Sequence, residues 1–198
     1  MAKAYDRAYF EKWYRSERHR VGSRAELARK VAMVVHLAEY YLARPIRNVL
    51  DVGCGEAAWR APLLKLRPRL AYRGLESSEY AVARYGRSRD IGLATFGQLG
   101  ELRFDERFDL IVCSDVLHYV PAPELRRGLS GFGDLLEGLA FLEVFTSTDN
   151  ASGDIRGFIP RSPSWYRTRF VDAGLLPCGT HSYLSPRLMR SVAALECL

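Results

Sequence analysis

The sequence predicts an α/β fold: a doubly wound, mainly parallel sheet with helices on both faces, preceded by an N-terminal helical segment. Three observations predict it. The run Asn48-Val49-Leu50-Asp51-Val52-Gly53-Cys54-Gly55-Glu56-Ala57 is an apolar strand leading through an acid into a glycine-rich turn. Residues 57–67 follow with a helical pattern, which points a helix N-terminus at the turn. The next apolar run, Ala71-Tyr72-Arg73-Gly74-Leu75, ends in a second acid, Glu76. Strand, glycine turn, helix, strand and terminal acid open a nucleotide-binding α/β unit.

The remaining elements follow in order. Within residues 1–45, Leu27, Val31, Val34, Val35, Ala38 and Leu42 recur with a helical period, and Pro45 then starts a new element. Residues 46–145 hold the core, with strands expected near 47–52, 71–76, 91–96, 108–114 and 139–145 and helices near 57–67, 78–88 and 123–137. Residues 146–198 form a tail with a polar loop from Thr146 to Gly153, a helix near 163–173 and an extended run from Leu176 to Leu184. The whole reads as one domain, 1–198, with 1–45 as a cap and 146–198 as the substrate-side, sheet-closing segment.

Composition supports that reading. A chain of 198 residues with 48% hydrophobic residues can build one core. No apolar run approaches the ~20 residues that span a bilayer. The N-terminus lacks the apolar core of a signal peptide. Cys54, Cys113, Cys178 and Cys197 form no C-x-x-C pair and no metal spacing, so a reduced, cytoplasmic setting and no bound metal are expected. The net charge of +6 is carried mostly by arginine. No basic run and no nucleic-acid module accompany it, which favours a small acceptor over RNA or DNA.

The turn itself selects the nucleotide. D-V-G-C-G-E-A has no third glycine at the dinucleotide spacing, because position 58 is Ala. Asp51 would also repel a pyrophosphate and suits a ligand carrying an amine or hydroxyls. The stretch resembles the first motif of class I S-adenosylmethionine-dependent methyltransferases, an apolar strand followed by D-x-G-x-G-x-G. Asp51, Gly53 and Gly55 match it, and Ala57 replaces the third glycine. Phe96-Gly97-Gln98-Leu99 resembles the third motif, with Gln98 where the family has an acid. The run from Phe108 to Val120 resembles the fourth.

The resemblance implies a Rossmann-like fold that binds S-adenosyl-L-methionine and releases S-adenosyl-L-homocysteine. It implies a cofactor site built in four places: Asp51, Gly53, Cys54 and Gly55 in the turn; Glu76 and Ser77 after the second strand; Gly97, Gln98 and Leu99 after the third; Ser114, Asp115 and Tyr119 after the fourth. Glu76 would take the ribose hydroxyls, since a carboxylate accepts two donors at once. Gln98 would accept from the adenine amine. The family also closes its sheet with an antiparallel hairpin. Strand six is expected at Leu176–Leu184 and the last strand within Ser191–Leu198.

Tyr5, Tyr9 and Trp13 recur every four residues, on one helical face. They read either as core packing or as a lid, with Trp13-Tyr14-Arg15 as its contact edge and Trp13 touching the cofactor. The chemistry asks little of side chains, because a sulfonium already activates its methyl group and transfer is an in-line displacement that needs alignment. His118, after the fourth motif, is the candidate base for an acceptor that must lose a proton. The plainer reading is that it packs under its loop. His181 ranks behind it, and His19 and His36 read as surface or packing residues. Asp115 with Asp149-Asn150 would suit a magnesium-dependent variant, but Asp149 lies past the expected strand end in a turn-like loop. The acceptor is expected to be a small molecule: Ser114-Asp115-Val116-Leu117 stands where amino-directed relatives carry an Asp/Asn-Pro-Pro-aromatic motif. Two alternatives stay open, a Rossmann oxidoreductase and a non-catalytic S-adenosylmethionine-binding protein.

Overall fold

A seven-stranded sheet with strand order β3-β2-β1-β4-β5-β7-β6 organises the molecule. The structure, a computed structural model, describes residues 5–16, 22–150, 153–189 and 192. The strands are β1 (Asn48–Val52), β2 (Ala71–Glu76), β3 (Ile91–Leu93), β4 (Phe108–Ser114), β5 (Leu136–Glu143), β6 (Leu176–Gly179) and β7 (Ser182–Leu184). β1 to β5 pair in parallel, and β7 runs antiparallel to both β5 and β6. The order reverses between β1 and β4, where open α/β sheets bind ligands at the carboxyl ends of their strands.

Helices cover both faces, as expected. On one face lie α2 (Arg24–Leu42), α3 (Arg60–Leu66) and α4 (Glu79–Arg89), burying Val31, Val34, Val35, Leu63 and Tyr85 against Val49, Val112 and Phe141. On the other lie α5 (Ala122–Ser130), α6 (Phe132–Leu135) and α7 (Pro163–Asp172), where Leu125, Phe132, Tyr166 and Phe170 meet Leu50, Ile111 and Leu142. Burial on both faces explains the near-continuous apolar character of β4 and β5. The caps are local. Ser23 and Glu26 close a reciprocal capping box on α2, and Ser78 accepts from the Ala81 N–H to start α4.

Several boundaries differ from expectation. The helix after the glycine turn starts at Arg60, because the chain spends residues 53–59 turning, with Ala57 left-handed at φ 59°. β3 ends at Leu93, and Phe96–Gly100 is a 3₁₀ turn. The helix expected to reach 137 breaks at Gly131, which abuts the Leu99 carbonyl so closely that a Cβ would not fit, and β5 begins at Leu136. The run Leu176–Leu184 is not one strand but the whole closing hairpin. Thr180 and His181 both have positive φ, 33° and 57°, and form its two-residue turn. The sheet therefore closes with Ser182–Leu184. The expected last strand within Ser191–Leu198 lies, Val192 apart, outside the described residues.

The N-terminal segment is short α1 (Arg7–Phe10), capped by Asp6, running into a π-helical turn over Glu11–Arg15. Phe10 is buried and packs 5.7 Å from the Tyr80 ring of α4. The Ser78 hydroxyl donates to the Tyr5 carbonyl at 2.5 Å. The segment thus sits at the carboxyl ends of β1 and β2.

Candidate functional site

The glycine turn is built around backbone that other residues resist. Gly53 and Gly55 have φ of 68° and 55°. Gly53 and Cys54 N–H both donate to the Leu75 carbonyl, at 2.8 and 3.1 Å, which clamps the turn to β2. The Cys54 side chain is buried, and burial pushes its thiol up. Glu76 is 6% exposed and joins the turn to α4. Its Oε2 accepts from Gly55 N–H at 2.8 Å. Its Oε1 accepts from Ser78 N–H at 2.9 Å and from the Ser77 hydroxyl at 3.3 Å. The carboxylate is thereby fixed in place at the strand end, with lone-pair capacity left for a further donor.

Asp51 lies lower than Glu76. It is 2% exposed beneath the turn and accepts from the Tyr72 hydroxyl at 2.8 Å. Burial pushes its carboxyl up to about 7; the Tyr72 hydrogen bond opposes this and the Glu76 charge adds to it. The folded protein therefore holds a proton on Asp51 to about pH 7, whereas the unfolded chain releases it near the ordinary 3.8. Stability from this group is full below about pH 4 and is lost as pH rises through 7, by on the order of a few kcal/mol at about 1.4 kcal/mol per pKa unit. Asp51→Asn should remove that slope and exceed the wild type in stability at pH 8. Denaturant melts at pH 5, 6 and 8 check this, and parallel curves for the two proteins would refute it.

Of the expected contact edge Trp13-Tyr14-Arg15, it is Tyr14 that reaches the turn. A Cβ placed on Gly55 would collide with the Tyr14 hydroxyl and lie 2.9 Å from its Cζ, so Tyr14 stands over the turn. Trp13 is half-buried with Lys12 Nζ 4.7 Å above its ring. The π turn is the cause: it widens the spiral after Phe10, and four-residue spacing no longer marks one face. Arg15 pairs with Glu56 at 3.1 Å and also donates to the Tyr85 hydroxyl. The Tyr5 and Tyr9 rings meet edge-on at 5.0 Å. Burial, helped by Glu76, Asp154 and Asp115, pushes the Tyr5 hydroxyl up to about 12, so it remains a donor at neutral pH.

After β3, Gly97 N–H donates to Glu124 Oε1 at 3.4 Å and Leu99 is fully buried. The Gln98 amide oxygen accepts from Thr95 N–H at 2.7 Å and caps its own turn. After β4, Asp115 is left-handed at φ 63° with its side chain 58% exposed at the mouth. His118 is 1% exposed. Its Nδ1 accepts from Phe145 N–H at 3.5 Å, its Nε2 lies 3.5 Å from Asp115 Oδ1, and its ring packs on Tyr119, Phe145 and Phe158. The half-buried Tyr119 donates its hydroxyl to the Asp154 carbonyl. Asp149 caps the turn at Thr146, accepting from its N–H and hydroxyl at 2.8 and 2.7 Å. Among the described residues, no group of three or more His, Cys, Asp or Glu could hold a metal ion, and no helix is long and apolar enough to cross a membrane.

Two residues at this end of the sheet carried no expectation. Glu143 ends β5 and binds both Lys30 of α2 and Ser114 of β4. An acid closing an apolar strand, Leu139-Ala140-Phe141-Leu142-Glu143, is the same signal that marks Asp51 and Glu76.

Comparisons with known proteins agree with this geometry. Residues 50–138 match the family model described as a methyltransferase domain. No curated protein matches the sequence. Among solved structures, an O-methyltransferase family protein from Burkholderia thailandensis is 17% identical with a TM-score of 0.53; 81% of this chain aligns with 56% of that one, so this chain spans little over half its length. The magnesium protoporphyrin IX methyltransferase from Synechocystis PCC 6803 is 16% identical with a TM-score of 0.59, over 91% of this chain and 95% of that one. An amino pentose methyltransferase from Micromonospora echinaspora is also 16% identical with a TM-score of 0.59, over 93% and 98%. The match over residues 50–138 and the fold shared with these solved structures make the central part of this chain similar to a methyltransferase domain.

Proposed function

We propose that this chain transfers the methyl group of S-adenosylmethionine to a small-molecule acceptor by in-line displacement. The observation that carries the reading is Glu76, held by Gly55 and Ser78 N–H where β1 and β2 end. The residues present fit an adenosyl ligand. Two glycines at positive φ, without side chains of their own, shape the turn, and a fixed carboxylate stands where vicinal hydroxyls can share it. When bound, the cofactor supplies a methyl group already activated on a sulfonium. Tyr14 covers the turn at Gly55 and keeps water from it. His118 would take the acceptor proton on Nδ1, the nitrogen with the free lone pair, in exchange for its hydrogen bond from Phe145 N–H, while Nε2–H faces Asp115. The structural neighbours named above act on different acceptors, an amino pentose and a porphyrin among them, so the acceptor class is small molecules and the acceptor atom is left open. A cytoplasmic setting belongs to this reading, with Cys54 and Cys113 buried as thiols.

Calorimetry with S-adenosylhomocysteine and NAD, followed by transfer of labelled methyl to a metabolite pool, tests it. Binding of NAD alone would favour the oxidoreductase reading. Cofactor binding without transfer to any metabolite would favour a non-catalytic protein. The lid makes its own prediction: Tyr14→Ala should lower turnover about tenfold while changing cofactor affinity less, because closure aligns the acceptor. Unchanged turnover would make Tyr14 a packing residue.

A further inference from the structure

The turn that carries His118 is too short to hold itself. Leu117–Tyr119 is a single 3₁₀ turn. Tyr119 N–H donates to the Val116 carbonyl at 2.9 Å and Val120 N–H to the Leu117 carbonyl at 3.2 Å. Such short pieces have poor hydrogen-bond geometry, so their shape depends on what packs around them. Here that is the segment between β5 and α7, residues 144–162. Its Phe145 N–H donates to His118 Nδ1 at 3.5 Å, and its Ile159 N–H donates to the His118 carbonyl at 2.8 Å. The Phe145 and Phe158 rings lie 5.6 and 5.4 Å from the imidazole. One loop therefore holds both the ring and the backbone of His118.

Arg161 fastens that loop to the turn. Its Nη1 donates to the Leu117 carbonyl at 3.3 Å and its Nη2 to the Val120 carbonyl at 2.7 Å, so one guanidinium spans the turn from end to end. Nη1 also donates to the Tyr166 hydroxyl at 3.2 Å, and the group lies 4.5 Å over the Trp165 ring. The Arg161 carbonyl accepts from Ser147 N–H at 2.8 Å, which joins the two limbs of the loop. Among the described residues, no carboxylate pairs with Arg161; its donors go to carbonyls and a hydroxyl. A planar fork with donors at fixed spacing can bridge two acceptors, where an ammonium acts as a point charge. Bridging Leu117 and Val120 fixes the ends of the turn, and with them the direction in which His118 leaves the backbone.

We propose that Arg161 is a positioning residue for methyl transfer: by spanning the Leu117 and Val120 carbonyls it holds the His118 imidazole in the one tautomer and direction that can take the acceptor's proton. The proposal rests on the reading of His118 as the base. With Nδ1 accepting from Phe145 N–H, the imidazole proton sits on Nε2, towards Asp115. Releasing the turn would misplace the base, and a displacement of about 1 Å costs on the order of 10²-fold in rate. The glycine turn and Glu76 stand on other elements, so cofactor affinity is spared.

Two readouts test it. In NMR of nitrogen-labelled histidine, the His118 signals, assigned by their loss in His118→Phe, should show a single tautomer protonated on Nε2. In Arg161→Met they should average between tautomers while those of His36 stay in place. The second readout is transfer of labelled methyl from S-adenosylmethionine to a metabolite pool. Arg161→Met should lower turnover about 10–100-fold, with S-adenosylhomocysteine bound within a few-fold of wild type. Arg161→Lys, which keeps the charge but meets one carbonyl, should fall between. In the His118→Phe background Arg161→Met should cost little more, because both changes act through one group. The full cost in that background, an equal loss of cofactor affinity, or an unchanged His118 signature would make Arg161 a structural tie and overturn the proposal. Where Arg161→Met fails to fold, Arg161→Lys carries the same comparisons. Full turnover in His118→Phe overturns the base reading itself, and is told apart because no Arg161 variant is needed to see it.

Discussion

Gly53→Val is expected to abolish cofactor binding. Gly53 has φ 68°, and a Cβ there would lie 2.6 and 3.0 Å from the two methyl carbons of Val116. Left-handed backbone costs a side-chain-bearing residue about 1–2 kcal/mol, and overpacking adds about 1–3 kcal/mol. A β-branched side chain fits neither the backbone angle nor the space. It would also stand where the ligand must approach the turn. Calorimetry with S-adenosylhomocysteine should show affinity lowered more than ~100-fold, an amount equal to about 3 kcal/mol. Thermal melts should show a folded but less stable protein. Gly53→Ala, with the same strain but less bulk, should fall between. Normal binding by the valine variant would refute the placement of the turn.

His118→Phe is expected to lower turnover about 10²–10⁴-fold, the contribution of a positioned base, while leaving cofactor affinity within a few-fold. Phenylalanine is chosen because the ring is 1% exposed among Tyr119, Phe145 and Phe158, and truncation to alanine would open a cavity. Full activity in His118→Phe would reduce the residue to packing and leave transfer to alignment alone. Loss in His118→Ala alone would say the same.

The sequence made the cofactor turn legible because its signals are local. Strand, glycine spacing and terminal acid lie within about thirty residues, and each has one backbone solution. Features that depend on non-local contact were hidden. Gly131 ends a helix because Leu99 lies against it, which no pattern around 131 announces. Tyr14 covers Gly55, although the four-residue spacing of Tyr5, Tyr9 and Trp13 skips it, because a π turn interrupts the helical period. The closing hairpin turns on Thr180-His181, a pair without the Asn-Gly or Asp-Gly chemistry that normally marks positive φ at both positions. Its two strands therefore read as one. Lys30 and Glu143 are far apart in sequence and meet only when α2 packs on β5.

That hairpin also sets an order of events during synthesis. β5 is among the most buried strands, with Leu139, Ala140 and Leu142 fully enclosed. Its outer neighbour is β7, supplied by residues 182–184, after α7 has been made. Until those residues leave the ribosome, β5 presents an unpaired apolar edge, the feature through which partly made chains associate. The three-residue strand β7 is thus the piece that converts a sticky intermediate into a sealed sheet, and defects in it should surface first as poor yield.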